Sequence, residues 1–387
     1  MREDFLLLNP GPVPVAREVT KAMDEPMISR RSAEFGDVYD RVRDGLEYVF
    51  EHSTPDGSST GATGEPLVLN GTGTMALEAS VSNLVGESDE VVALVNGSFG
   101  QRLRRIGERY ADVRAVETDW GEAFDLDRVR ETVSDETALV TVVHNETSTG
   151  LLNQVGAIGE IAAEHDALFV VDGVSSIGGA AFRFDEWGVD VVATDPQKAL
   201  ASPPGISALY ASEAAIEAFD GRNGPLYQNL EAYFDAAGDR ATPFTAATPL
   251  VRALAVALER IRREGMGDRI QRHRRYAKAV REAMDAMGLD LVPAPADGAA
   301  FSPTMTAVEL PAGVDADAFS RALADRGVSV GGGLGPFEGR AFRFGNMGEL
   351  SPDEIVRGVY SVGRALEETG TDVDVVGGLE AAESVIR

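Results

Sequence analysis

From residue 66 to residue 210 the chain alternates short apolar runs with segments of helical spacing. Residues 90–96 (EVVALVN), 138–144 (ALVTVVH), 167–172 (ALFVVD), 189–194 (VDVVAT) and 206–210 (ISALY) are nearly continuous in apolar residues. Strands that expose one face to water alternate apolar and polar; strands covered on both faces do not. Between these runs, 74–85, 101–110 and 155–165 carry apolar residues at helical intervals. The pattern predicts an α/β layered domain, with a mainly parallel sheet between helices. Past residue 248 the rhythm changes. Two helices are expected at 249–263 and 268–287, interrupted at Gly265 and Gly267. Then LDLVPA, TMTAVELP, VSVGGG and AFRFGN read as strands and 316–325 and 352–368 as helices, a smaller α+β unit. The polar stretch 51–64 reads as a surface loop.

The chain has 387 residues, enough for two cores. A net charge of −28 disfavours nucleic acid and anionic lipid as partners. No apolar run reaches the roughly 18 residues of a membrane span. The opening MREDFLLLNPGP has no basic segment followed by a long apolar one, so a cytoplasmic protein is expected. Absence of cysteine excludes disulfides, thiolate metal sites and a cysteine nucleophile. The histidines His52, His144, His165 and His273 are too scattered for a zinc motif, and no metal is expected. Lysine occurs only as Lys21, Lys198 and Lys278; arginine supplies the other basic residues. Acidic excess with scarce lysine points to a surface suited to high salt, as in a halophile.

Lys198 stands in DPQKAL, just after an apolar run, in a chain that elsewhere uses arginine. Arginine cannot replace lysine where an amine must condense with an aldehyde. A lysine buried for structural reasons would fit the same position. Asp172 closes the run FVVD. Open parallel sheets bind ligands at the carboxyl ends of their strands, where a carboxylate could pair with a protonated ring nitrogen. Capping the next turn is its alternative role. Gly71-Thr72-Gly73-Thr74 precedes a predicted helix and could present backbone amides to a phosphate, or could be a tight turn.

These parts occur in the order of the large aminotransferase fold. With LLLNPGPVPV, MISRRSAEF, NGSFGQR, HNETSTG, VVDGVSS, DPQKAL and GGLGPFEGRAFRFGNMG, the chain resembles the class V aminotransferases of fold type I, the alanine–glyoxylate and serine–pyruvate group. The motifs span residues 6–348. The resemblance implies a seven-stranded, mainly parallel sheet flanked by helices. It implies an N-terminal arm at 1–20, a large cofactor-binding domain at 21–264 and a small C-terminal domain at 265–387. It implies a homodimer with shared active sites and pyridoxal 5′-phosphate as cofactor. Lys198 matches the lysine that carries the cofactor as a Schiff base and serves as base and acid, and Asp172 the partner of the ring nitrogen. Gly73 and Thr74 match the phosphate turn, Gln197 a phosphate contact, and Thr147 a hydroxyl near the ring. Phe99 stands where the family often stacks a tryptophan. Arg343 matches the arginine that grips the substrate carboxylate, and Asn9 to Gly11 should approach the substrate.

Two places depart from the family. Its usual His-Arg-Ser is Arg30-Arg31-Ser32 here. Its cross-subunit phosphate contacts, a Tyr and a Thr, align with Thr242 and Thr245. The activity implied is transamination between alanine or serine and glyoxylate or pyruvate. A transaminase of purine or aminophosphonate metabolism and a catalytically silent cofactor-binding protein are the alternatives. Cysteine desulfuration lacks its cysteine.

Overall fold

The computed structural model describes residues 5–221, 224–296 and 298–387, so residues 1–4 of the expected arm lie outside the described residues. The strands in the first half are β1 (Leu6–Leu8), β2 (Glu65–Leu69), β3 (Glu90–Val95), β4 (Asp112–Glu117), β5 (Thr137–Val143), β6 (Asn145–Glu146) and β7 (Leu151–Leu152). They continue with β8 (Leu168–Asp172), β9 (Val191–Thr194), β10 (Ser207–Ala211), β11 (Ala300–Phe301), β12 (Met305–Glu309), β13 (Val328–Gly332) and β14 (Ala341–Gly345). A seven-stranded sheet runs β2-β10-β9-β8-β5-β3-β4. Its pairs are parallel except around β10, which is antiparallel to both β2 and β9. This is the fold type I layer, and its inner strands are buried on both faces, as their unbroken apolar runs require.

Helices seal the sheet. Ser32 caps Ala33–Glu51, its hydroxyl accepting from the Phe35 amide at 3.3 Å. Phe35, Val38, Tyr39, Val42, Leu46 and Val49 recur at helical spacing and are buried. The helix packs on Thr248–Glu264 so closely that a Cβ on Gly45 would fall 2.6 Å from Leu258 Cβ. Among the described residues no helix is long and apolar enough to cross a membrane.

A second sheet runs β1-β13-β14-β12 and has its own core, in which Phe342 and Phe344 pack with Val280, Met284, Val359 and Val362. Leu6 and Leu8 belong to that core, because β1 lies parallel to β13. The N-terminal segment is therefore held in the sheet built otherwise from the last third of the chain. Helix Pro352–Glu368 opens with a capping box between Ser351 and Glu354, and it spans the predicted 352–368.

One local expectation needed revision, and two elements were not expected. LDLVPA forms no strand; it makes two isolated bridges, Leu291 to Val308 and Ala294 to Glu122, since Pro293 and Pro295 have no N–H to offer a ladder. β4 escapes notice because it is a polar edge strand, DVRAVE. Helix Val375–Ile386 is glycine-containing and starts at Asp374, whose carboxylate accepts from the Gly377 amide at 2.8 Å.

Candidate active site

Adjacent parallel strands bring the chemistry together. β9, β8 and β5 are neighbours, and their carboxyl ends lead to Lys198, Asp172 and Asn145. The helix Gly73–Ser82 points its N-terminus at the same place. Together they enclose a cavity of about 230 Å³. Gly73, Thr74, Phe99, Thr147, Asp172, Gln197 and Lys198, expected from the sequence, all line it.

Lys198 follows β9 in a tight turn, and its Nζ donates to the Pro10 carbonyl. That contact exists because Gly11 lets the N-terminal segment lie on the lysine. A Cβ there would come within 2.5 Å of Lys198 Cδ, and its φ is +100°. Burial lowers the ammonium to about 8, against the attraction of Asp195 and Asp172 and together with repulsion from Arg343. Asp172 is 4 % exposed. Its Oδ1 accepts from the Val174 amide at 2.9 Å, and burial raises its carboxyl to about 6. Such a carboxylate favours a cationic partner, which restores its charged form.

Gly73 is required by space: a Cβ would meet Val174 Cγ2 at 2.7 Å. Thr74 Oγ1 accepts from Arg102 at 3.0 Å, and the Arg102 guanidinium lies 4.8 Å from the Phe99 ring centre. Phe99 is fixed by Glu146, which is fully buried and accepts from the Phe99 and Gly100 amides at 3.1 and 3.0 Å. The carboxylate thus caps the start of helix Ser98–Gly107. Burial raises the Glu146 carboxyl, opposed by these amides and by Ser148.

Arg343 projects from β14 on the face opposite Phe342 and Phe344, as alternation predicts. It donates from Nε to Gly332 O at 2.7 Å and from Nη1 to Thr147 O at 3.1 Å. Among the described residues no carboxylate forms an ion pair with it. Burial lowers its guanidinium pKa, against the attraction of Glu146. Asn9 Oδ1 is buried without a partner, and the Asn9 carbonyl packs against Gly345, where a Cβ would be 2.4 Å away. Arg343, Asn9 and Gly11 border the cavity residues rather than line the cavity itself.

Thr242 and Thr245 lie apart. Thr242 is buried, donating to Phe244 O at 2.8 Å, while Thr245 is exposed with its carbonyl on Asn70 Nδ2. Arg30 of the departing Arg30-Arg31-Ser32 motif donates to the Thr242 carbonyl. Sequence reasoning missed Asn145, Asp195 and Arg102, all of which line the cavity. Arg102 carried a signal, three residues after Phe99 and so on the same helix face. A larger cavity of about 620 Å³ touches His144, whose neighbours Val143 and Asn145 line the smaller one. Among the described residues its lining holds no lysine and no carboxylate.

The donor set suits pyridoxal 5′-phosphate: an amine of lowered pKa, a buried acid, an aromatic face and a helix N-terminus with arginine beside it. Asn145 Oδ1, buried and unpartnered, leaves one more polar contact free at that wall. Fold and cavity together define a fold type I enzyme that depends on pyridoxal 5′-phosphate. The chain belongs to the class V aminotransferases, and the description Aminotransferase class-V matches residues 20–336. It is 33 % identical to the L-aspartate–glyoxylate aminotransferase of Paracoccus denitrificans, over 98 % of this chain and 95 % of that one. It is 30 % identical to a serine–glyoxylate aminotransferase of Arabidopsis thaliana, over 98 % and 95 %. The crystal structure of pyridoxamine–pyruvate aminotransferase from Mesorhizobium loti superposes with a TM-score of 0.91 at 29 % identity, covering 98 % of this chain and 96 % of that chain. The protein is an aminotransferase, an enzyme that transfers nitrogenous groups.

Proposed function

We propose that the enzyme transaminates a small amino acid, alanine or serine, with a small 2-oxo acid, glyoxylate or pyruvate, at the cavity around Lys198. The observation that carries this reading is Arg343: a half-buried guanidinium, paired to carbonyls rather than to an acid, beside Thr147 at the cavity wall. Gly331 and Gly332 stand next to it, which leaves room for a compact carboxylate. Both relatives named above carry glyoxylate in their names, which supports a small acceptor.

Bound pyridoxal 5′-phosphate supplies an aldehyde that condenses with amines and a ring that takes up the electron pair released at the substrate Cα. The residues do the rest. Lys198 Nζ takes the Cα proton and later returns it. Asp172 would hold a proton at the ring nitrogen, and Phe99 would offer an aromatic surface to the ring. Gly73, Thr74 and Gln197 would hold the phosphate, with the Thr147 hydroxyl available to the ring. Arg343 clamps the α-carboxylate through two parallel charge-assisted bonds, and Asn9 and Gly11 border the substrate.

Arg343→Lys keeps the charge and loses the fork. It is expected to raise KM for donor and acceptor by about ten- to a hundredfold, with the bound-cofactor spectrum unchanged. Unchanged KM for both substrates would refute the clamp. A donor–acceptor screen in high salt tests the substrate class. Turnover confined to ureido donors or aminophosphonates would overturn the alanine or serine assignment.

We infer a cytoplasmic homodimer of a salt-adapted organism. Support for the dimer comes from Leu226 and Tyr227, large and exposed, with Tyr227 4.9 Å from Phe244 in the segment that carries Thr242 and Thr245. A charge of −28 opposes compactness and association unless salt screens it. The Debye length is about 3 Å at 1 M and about 30 Å at 0.01 M. Moving from molar to millimolar potassium chloride should therefore lower Tm and shift sedimentation from dimer toward monomer. Equal Tm in both buffers would count against salt adaptation, and an active monomer against shared sites.

A further inference from the structure

Three residues before Lys198 stands Asp195, 2 % exposed, at the end of β9. Its Oδ2 accepts from the Gly73 amide at 2.9 Å and from Gln197 Nε2 at 3.2 Å; its Oδ1 accepts from the Gln197 amide at 3.3 Å. Gly73 and Gln197 are two of the donors assigned above to the cofactor's phosphate. A carboxylate therefore already engages the amide at the helix N-terminus, the point where an anion is favoured. The bond to the Gln197 amide is an ordinary aspartate turn. The bond to Gly73 is not local: it joins positions 122 residues apart. On the far side of Thr74, Arg102 supplies the opposing positive charge.

We propose that Asp195 sets how strongly this site prefers a phosphorylated cofactor: its negative charge counteracts the phosphate end of the cradle, and Arg102 offsets it. The proposal rests on the placement of the phosphate at Gly73, Thr74 and Gln197. Two effects compete. Asp195 orders the Gly73 amide and Gln197, which favours phosphate. Its charge repels the dianion at short range in a buried site, where screening by salt is weak. The charge term wins: asparagine in the same place keeps one oxygen for the Gly73 amide and loses a single bond to the Gln197 amide, a smaller loss than the repulsion it removes between a carboxylate and a dianion at short range. The consequence is an enzyme that holds pyridoxal 5′-phosphate with less advantage over pyridoxal than its helix N-terminus and arginine alone would give.

The test uses the full-length protein and two probes, pyridoxal 5′-phosphate and pyridoxal, with Kd read by tryptophan fluorescence and equilibrium dialysis. Asp195→Asn should tighten pyridoxal 5′-phosphate by about tenfold and leave pyridoxal unchanged. Arg102→Gln and Thr74→Val should weaken the phosphorylated probe alone. If those two variants change both probes equally, the phosphate is placed wrongly and the inference falls with it. If they act on the phosphorylated probe alone but Asp195→Asn leaves it unchanged or weaker, the placement stands and the role of Asp195 is refuted. Unchanged pyridoxal affinity in Asp195→Asn verifies that the variant is folded.

Discussion

Lys198→Ala is expected to lower steady-state transamination by several orders of magnitude while the protein remains folded. Among the described residues the lysine is the one amine at the cavity, and removing a group that acts as both nucleophile and proton carrier removes steps that no neighbour can take over. The guanidinium groups nearby cannot condense with an aldehyde as an amine does. Folding should survive, because the Lys198 side chain makes a single hydrogen bond, to the Pro10 carbonyl, and Gly11 beside it needs more room rather than less. The check is a coupled assay with alanine and glyoxylate, together with circular dichroism. Residual turnover above about one per cent of wild type would sink the assignment. A pH series sharpens the test. Burial lowers the Lys198 ammonium from its usual range to about 8, so the neutral amine prevails above that pH. Cofactor loading in the wild type should accelerate as pH rises through about 8, and the variant should lack this step.

Asp172→Asn has the second-largest expected effect. Asparagine keeps an oxygen for the Val174 amide and nearly the same volume, so packing is preserved. It cannot hold a proton at the ring nitrogen, and that proton is what lets the ring accept electrons. A fall in kcat of about a hundred- to ten-thousandfold is expected, the range in which a positioned proton-holding group contributes. KM should change little, since Asp172 lies at the strand end with the ring and not at the carboxylate clamp. A rise in KM with kcat intact would reassign Asp172 to substrate binding. The neutral ring nitrogen should also alter the absorbance of the loaded enzyme, which separates this role from a purely structural one.

Much was legible because it is local. The apolar runs at β3, β5, β8 and β9 declare buried parallel strands, since a strand covered on both faces cannot carry alternating polar residues. Strand ends in such a sheet are where ligands bind, so the Asp closing β8 and the Lys just past β9 were visible as candidates before any contact was known. Ser351 and Glu354 fix the start of their helix through a bond that spans three residues. The alternation in AFRFG orients Arg343 away from Phe342 and Phe344.

What escaped lies in contacts between distant segments. The bond from Gly73 to Asp195 joins two turns whose residues look like ordinary strand-end punctuation. Glu146 looks like one more surface acid in a chain of net charge −28, yet it is fully buried and holds the helix that carries Phe99. Leu6–Leu8 is too short to declare a strand, and it became one only because β13 offers an edge and a core to cover it. The sequence by itself determined the layers, the strand ends and the residue types available there, because periodicity and composition act within a few residues. The tertiary structure decided which charges share a cavity and how far burial moves them, because desolvation and Coulomb energies depend on distances in space that chain spacing does not specify.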